Sequence, residues 1–152
     1  MFRLFRKKEV QVVVEDEFGT FYLNREYGWF DGQINWMGSM KEILLDKDEE
    51  GETADAARKT LHILMQDTEG WDSRLRSYAA GELTELANDW REEDTPEIKE
   101  ESFVERIGIP AIHIDNKGSF EAVYDDDGMF AGHWIVVRMN EKGEPEDADI
   151  EG

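Results

Sequence analysis

The chain has 152 residues, 37 of them acidic and 17 basic, which gives a formal net charge of −20 at pH 7. That charge repels phosphate backbones, so we expect no direct nucleic-acid binding, but it would attract a basic protein partner. The chain has no cysteine, which excludes disulfides and thiolate chemistry. No apolar run is long enough to predict a membrane span. We therefore expect a cytoplasmic protein with one domain at residues 9–152, preceded by a basic extension at residues 1–8.

The chain up to residue 45 predicts an antiparallel β meander. The pair Asp31-Gly32 stands between two apolar runs, and such a pair favours a tight hairpin turn because that turn requires positive φ. Asn24, Gly28 and Gly38 mark the other turns. The predicted strands are residues 11–14, 18–23, 27–30, 33–37 and 40–45.

The middle of the chain predicts three helices. Thr53 is a suitable N-cap for the first, whose apolar residues follow at helical spacing as far as Met65. Thr95 and Pro96 indicate the start of the third helix, and Gly108 suits its end. The second helix is predicted at residues 71–91, with an apolar stripe of Leu75, Ala79, Leu83, Leu86 and Trp90.

The rest of the chain returns to short apolar segments separated by turns rich in Asn, Asp and Gly. Strands are predicted at residues 109–114, 119–124, 133–139 and 148–150. Because strands and helices are segregated along the chain, we predict an α+β fold. In it, antiparallel β meanders at the N- and C-terminal parts flank a central helical segment.

Several motifs of this chain resemble a known family. They are FGTFYLN near the start, the pair Trp29 and Trp36, the long segment GSFEAVYDDDGMFAGHWIVV and the acidic end DADIEG. Together they resemble DUF2262, a bacterial domain of unknown function, over residues 17–152. The resemblance implies a bacterial source and a shared fold, and it supplies no activity, cofactor or catalytic residue.

His133 is the polar residue that most suggests chemistry. A neutral imidazole can act as a general base near pH 7, and the preceding Gly132 would let a ligand approach closely. Paired with a carboxylate from Asp125 or Asp126, His133 would form the centre of a hydrolytic or acid–base enzyme. The structural alternative is a histidine that hydrogen-bonds to a turn at the start of its strand.

The run Asp125, Asp126 and Asp127 before Gly128 invites a cation-binding interpretation. A calcium loop needs alternating oxygen ligands, whereas consecutive acids point in different directions, so a solvated turn is the favoured alternative. With three histidines and no cysteine, we predict no zinc site and no cofactor. In particular, His113 alternates with two isoleucines and is expected to face away from them.

Aromatic residues cluster around the hairpin predicted at Asp31-Gly32. Because alternate strand residues point to opposite faces, part of this cluster should lie outside the core. We predict Asn24, Trp29 and Trp36 as binding residues, together with Gly132 and His133. Packing between meander and helices is the alternative for both tryptophans.

The leading functional hypothesis is a non-enzymatic module that binds a basic protein, for example an immunity protein that neutralises a basic toxin. It rests on the negative charge and on the lack of a catalytic motif. The alternatives are an acid–base enzyme built on His133 and divalent-ion binding by the acidic turns.

Overall fold

Residues 10–152 are described by the structure, a computed structural model, and they contain eight strands and three helices. The basic extension predicted at residues 1–8 lies outside the described residues. The strands are β1 (Val13–Asp16), β2 (Gly19–Asn24), β3 (Trp29–Trp36), β4 (Ser39–Asp46), β5 (Ala111–Ile114), β6 (Phe120–Tyr124), β7 (Trp134–Met139) and β8 (Pro145–Glu151). The helices are α1 (Asp55–Gln66), α2 (Thr68–Trp90) and α3 (Glu100–Arg106).

All eight strands form one sheet in which their order in space is their order in the chain. Neighbouring strands are antiparallel except β4 and β5, which pair in parallel with Ile43 opposite Ile112. The three helices connect these two strands, because parallel neighbours cannot be joined by a tight turn. The predicted α+β class, with antiparallel groups flanking a helical segment, is confirmed. The two antiparallel groups, β1–β4 and β5–β8, meet edge to edge at the β4–β5 pair.

One face of the sheet packs against the helices and forms the core. Along each strand, buried apolar residues alternate with more exposed ones, as expected for a half-covered sheet. The predicted stripe of α2 is buried at Leu75, Ala79 and Leu83, whereas Trp90 at its end is 43% exposed. The largest fully buried side chains include Trp36, Tyr124, Phe21, Phe30, Phe103 and Phe130.

The hairpin predicted at Asp31-Gly32 is wrong, because both residues lie inside the continuous strand β3. The turn that precedes β3 follows Asn24, and the turn after it contains Met37 and Gly38, both at positive φ. Gly32 serves a packing purpose instead, since the buried ring of Phe21 occupies the place where a side chain would stand. A glycine within a strand pattern therefore indicated close approach and not a turn.

Replacing Gly32 by alanine is expected to lower the free energy of unfolding by about 1 to 3 kcal/mol through overpacking. The added methyl group would meet the Phe21 ring and lie 2.9 Å from the carbonyl oxygen of Thr20. Chemical denaturation monitored by tryptophan fluorescence measures the change. Gly108→Ala is the control, since a methyl group there meets nothing within 4 Å. Equal effects at the two positions would contradict the packing explanation.

The predicted helix starts are displaced because other side chains cap the helices. Asp48, and not Thr53, caps α1, since its carboxylate accepts the backbone N–H of Asp55 at 2.8 Å and of Ala56 at 3.1 Å. Asp67 caps α2 by accepting the N–H of Gly70 at 3.0 Å, so that this helix begins at Thr68.

The third helix does not start at Thr95, as predicted, but at Glu100. Asn88, near the end of α2, hydrogen-bonds to both the N–H and the carbonyl of Ile98, each at 2.8 Å. These two hydrogen bonds between the side-chain amide of Asn88 and the backbone of Ile98 keep the segment between the two residues from forming a helix. The helix can begin only after Ile98.

Candidate functional site

One face of the sheet is turned away from the helices, and we call it the open face. Tyr22, Met40 and Trp134 are 49%, 58% and 53% exposed on it. A row of directly paired positions crosses this face through all eight strands, from Val13 to Asp147. By the alternation of each strand, the open face consists of Val13, Glu15, Thr20, Tyr22, Asn24, Trp29, Asp31, Gln33, Asn35, Met40, Glu42, Leu44, Asp46, Ala111, His113, Glu121, Val123, Trp134, Val136, Arg138, Asp147, Asp149 and Glu151.

The open face is strongly acidic. Among residues 10–152, Arg138 is the only lysine or arginine at the strand positions of the open face. Eight acidic residues lie at the strand positions of the same face: Glu15, Asp31, Glu42, Asp46, Glu121, Asp147, Asp149 and Glu151. The surplus negative charge of the chain is thus partly concentrated on one broad surface that also carries exposed aromatic rings.

Arg138 is held in place by the carboxylates around it. It lies 3.7 Å from Glu121 and 3.2 Å from Asp147, and it also pairs with Glu151. Burial alone would lower the pKa of Arg138, but the hydrogen bonds and negative charges of Asp147 and Glu151 outweigh it and raise that pKa. The guanidinium therefore stays charged and orders strands β6 to β8, while Glu15, Glu42 and Asp149 make no ion pair within residues 10–152.

His113 lies at the middle of the open face between two carboxylates. Its Nε2 is 2.6 Å from Oδ1 of Asp46, and its Nδ1 is 4.0 Å from Oε1 of Glu121. The edge of its ring meets Trp29 at 5.2 Å between centroids. His113 thus links the two antiparallel groups across the parallel β4–β5 junction.

Two of the predicted binding residues lie together on the open face. Trp29 stacks on the exposed ring of Tyr27 at 4.8 Å and donates its indole N–H to Asp31 at 3.1 Å. Asn24 accepts the N–H groups of Glu26 and Tyr27 and so shapes the turn beside them. This arrangement fixes a pair of stacked rings, one exposed and one partly buried, at one end of the face.

Trp36, the third predicted binding residue of this cluster, is fully buried in the core. Its indole N–H donates to Oδ1 of Asp72 at 3.1 Å. Because no part of its ring reaches the surface, Trp36 can support the open face only through the core.

The loop between β6 and β7 is organised by Asp126, which is 4% exposed. Its carboxylate accepts the backbone N–H of Gly128 at 3.0 Å, of Gly132 at 2.9 Å and of Phe130 at 2.8 Å. Burial alone would raise the pKa of Asp126, but these three donors outweigh it and hold that pKa below its usual value. The loop also carries strain, since Ala131 has a φ of 56° without being a glycine.

His133 ends this loop and bonds to its backbone. Its Nδ1 lies 2.6 Å from the carbonyl oxygen of Phe130, and its ring contacts the edge of Trp90 at 5.3 Å. No hydrogen bond within residues 10–152 joins His133 to Asp125 or Asp126. The imidazole and the carboxylate that an acid–base enzyme would need are therefore neighbours in sequence that do not meet.

The three consecutive aspartates of the loop have separate partners. Asp125 accepts the N–H of Asp127 at 2.8 Å, Asp126 lies inside the loop, and Asp127 pairs with Arg106 at 2.9 Å. Across residues 10–152, no group of three or more histidine and acidic side chains is arranged to hold a metal ion.

Sequence reasoning missed the acidic surroundings of Arg138, the exposed Trp134 and the partners of His113. Period-two alternation in residues 119–124 and 133–139 indicates which side chains share a face. It does not reveal which strands are neighbours, and only the pairing of β5 to β8 brings Glu121, Arg138 and Asp147 into one row.

Within residues 10–152, no helix is both long and apolar enough to cross a membrane. No curated protein and no solved structure matches the chain. A family model described as an uncharacterized protein conserved in bacteria, DUF2262, matches residues 15–150. The chain therefore belongs to the DUF2262 family.

Proposed function

We propose that this DUF2262 protein is a non-enzymatic module of the bacterial cytoplasm that binds a basic protein through its open face. The observation that carries this proposal is a single surface on which exposed aromatic rings stand among eight carboxylates and one arginine. An antidote that covers a basic toxin is one concrete form of such a function.

Exposed aromatic side chains supply the affinity in this proposal. Tyr22 and Trp134 are each about half exposed, and they lie on the face of the sheet that does not pack against the helices. Large aromatic side chains are enriched among the residues that dominate binding energy, whereas scattered rim contacts contribute little. Their position on one rigid sheet also limits the entropy that a partner's binding would cost.

In this proposal, the carboxylates of the open face select a partner with positive charge. A surface lined by one sign of charge attracts and orients partners of the opposite sign. Glu42 and Asp149, which form no ion pair among the described residues, are available to pair with lysine or arginine side chains of the partner. A groove of 280 Å³ beside His113, lined by the acids Asp115, Glu121 and Glu146 and also by Arg138, is large enough for one such side chain.

The size of the open face suits a protein partner. Eight strands about 4.8 Å apart span roughly 34 Å. The strands have four to eight residues and a mean length of about 20 Å, so the face covers roughly 700 Å², close to the roughly 800 Å² per partner of a standard interface.

Trp134→Ala is expected to weaken binding of the partner by a factor of about ten or more, corresponding to about 1.4 kcal/mol. The partner is first captured on immobilised protein from a lysate of the native host at low salt and identified, and its Kd is then measured by calorimetry. Trp90→Ala is the matched control, because Trp90 is 43% exposed on the helical side.

Neutralising carboxylates tests the electrostatic part separately. The triple change Glu15→Gln, Glu42→Gln and Asp149→Asn should flatten the dependence of Kd on salt, since the screening length falls from about 10 Å at 0.1 M to about 3 Å at 1 M. An acidic partner, binding that ignores salt, or loss of binding in Trp90→Ala but not in Trp134→Ala would contradict the proposal.

A further inference from the structure

A cleft on the helical side of the molecule is separate from the open face. It lies between the end of α2, the segment that follows it, α3 and the loop between β6 and β7, and its volume is 620 Å³. Small-molecule sites in proteins commonly have volumes of about 300 to 1,000 Å³. The cleft is thus large enough to enclose a compact organic ligand.

Arg91 lines this cleft with an unusual lack of partners. Its Nη1 donates to the carbonyl oxygens of Glu92 and Thr95, while its Nε is buried and has no acceptor. None of the ion pairs within residues 10–152 includes Arg91, although the chain has 37 acidic residues. By contrast, Arg106 across the cleft is neutralised by Asp127 at 2.9 Å.

An unpaired guanidinium with a buried, unsatisfied donor needs a physical explanation. Buried polar atoms are almost always hydrogen-bonded, and leaving one unsatisfied is costly. A carboxylate is the acceptor that matches a guanidinium best in charge and geometry. Nη2 of Arg91 makes no hydrogen bond among residues 10–152 and is not buried like Nε, so an acceptor in the cleft could approach the guanidinium at Nη2.

One wall of the cleft beside Arg91 is apolar. Trp90 is 43% exposed, whereas Ile98 and Met129 are 7% and 5% exposed and form part of the lining. Ala131, which also lines the cleft, is held at a positive φ by the loop that Asp126 organises. The cleft thus combines an apolar wall with one cation, Arg91, that has no ion-pair partner among residues 10–152, and such a combination is typical of small-molecule sites.

We infer that this cleft binds a small molecule with one carboxylate and a flat apolar body. The carboxylate pairs with Arg91 and the body packs against Trp90. Glu92 and Glu97 also line the cleft, and their negative charge disfavours phosphates and other polyanions. The inference is independent of the partner proposed for the open face.

A matched pair of ligands tests the inference by NMR on the full chain. The probes are naphthalene-2-carboxylate and naphthalene-2-carboxamide, which have the same shape and differ in charge. Binding is followed through the five tryptophan indole N–H signals, and Trp90→Phe identifies the signal of Trp90. Arg91→Gln removes the cation, and Arg74→Gln is its control because Arg74 lies 3.8 Å over the Trp71 ring, outside the cleft.

The carboxylate is expected to shift the Trp90 signal, with a Kd at least about tenfold lower than that of the amide, while the Trp29 and Trp134 signals stay in place. Arg91→Gln should abolish the difference between the two probes, and Arg74→Gln should preserve it. Equal affinity of both probes for the unmodified protein, or no shift of the Trp90 signal up to about 10 mM probe, would overturn the inference. This comparison of the two probes needs only the unmodified protein, so it holds even if Arg91→Gln does not fold.

Discussion

Replacing Asp72 by alanine is expected to lower the free energy of unfolding by about 3 to 5 kcal/mol, more than any other single substitution proposed for this chain. Asp72 is 3% exposed and accepts hydrogen bonds from the indole of Trp36 at 3.1 Å and from Nε of Arg76 at 2.6 Å. Without this carboxylate, a poorly solvated guanidinium loses its counter-charge and a buried indole N–H loses its acceptor.

The effect extends beyond α2 because Arg76 also binds the end of α3. Its guanidinium donates to the carbonyl oxygens of Val104, Ile107 and Gly108 at 2.6 to 2.9 Å. The same guanidinium lies 5.4 Å from the ring of the buried Tyr124. Loss of the Asp72 anchor is thus expected to loosen the contact between α2 and α3 together with the sheet beneath them.

Urea denaturation of the alanine variant, with Asp89→Ala as control, measures this effect. Asp89 is exposed on the same helix and forms no hydrogen bond to the core within residues 10–152, so its change should stay within about 0.5 kcal/mol. Asp72→Asn should fall between the two, since it keeps an acceptor but removes the charge. Equal stabilities of the Asp72 and Asp89 variants would show that the buried network does not hold the helices.

Asp126→Ala is expected to destabilise the protein by about 2 to 4 kcal/mol, because three backbone N–H groups lose their acceptor at once. Asp126 links Gly128, Phe130 and Gly132 around a loop that contains residues at positive φ. Without the carboxylate, the strain at Ala131 is no longer offset by these hydrogen bonds. Asp125→Asn, an exposed neighbour, is the control and should cost less than about 1 kcal/mol.

A fall in pH should reduce the stabilisation that Asp126 gives to the folded protein. The pKa of Asp126 in the folded protein lies below its ordinary value of 3.8, so the stabilisation is complete above that value and is lost as the pH falls through the lower, folded pKa. The difference in unfolding free energy between the unmodified protein and Asp126→Asn should therefore be constant near neutral pH and shrink below about pH 4. A difference that stays constant into strong acid would exclude an ionised Asp126 as the organiser of the loop.

The sequence predicted the order of strands and helices well because alternation and helical spacing are local signals. The parallel pairing of β4 with β5 joins segments on either side of all three helices, and no local pattern encodes it. The helix-capping residues were also hard to predict, because the local sequence pattern does not encode their contacts. Asp48 and Asn88 bond to backbone groups several residues away and displace the starts that Thr53 and Thr95 indicate.

The two tryptophans of β3 show how one misplaced turn changes a predicted site. Trp29 and Trp36 are the first and last residues of an eight-residue strand, so their side chains point to opposite faces. Dividing that strand at Asp31-Gly32 removed this relation and placed both rings in one binding cluster. The continuous strand leaves Trp29 on the open face and buries Trp36.

His133 illustrates a different limit. Its type and its place after Gly132 are common to catalytic and structural histidines. The choice between them depends on whether Nδ1 faces a carboxylate or the carbonyl of Phe130. That direction is set by the fold of the loop around Asp126, which becomes visible only in three dimensions.

Zero-length carbodiimide cross-linking of the protein to its captured partner tests most directly whether the open face is the binding surface. The reagent joins carboxylates to lysines that are in contact, and mass spectrometry identifies the linked residues. We expect the links to arise from Asp31, Glu42, Asp147, Asp149 and Glu151. Links concentrated on the exposed helical acids Glu69, Glu82 and Glu85 would show that the partner docks on the other side of the molecule and would contradict the proposed binding surface.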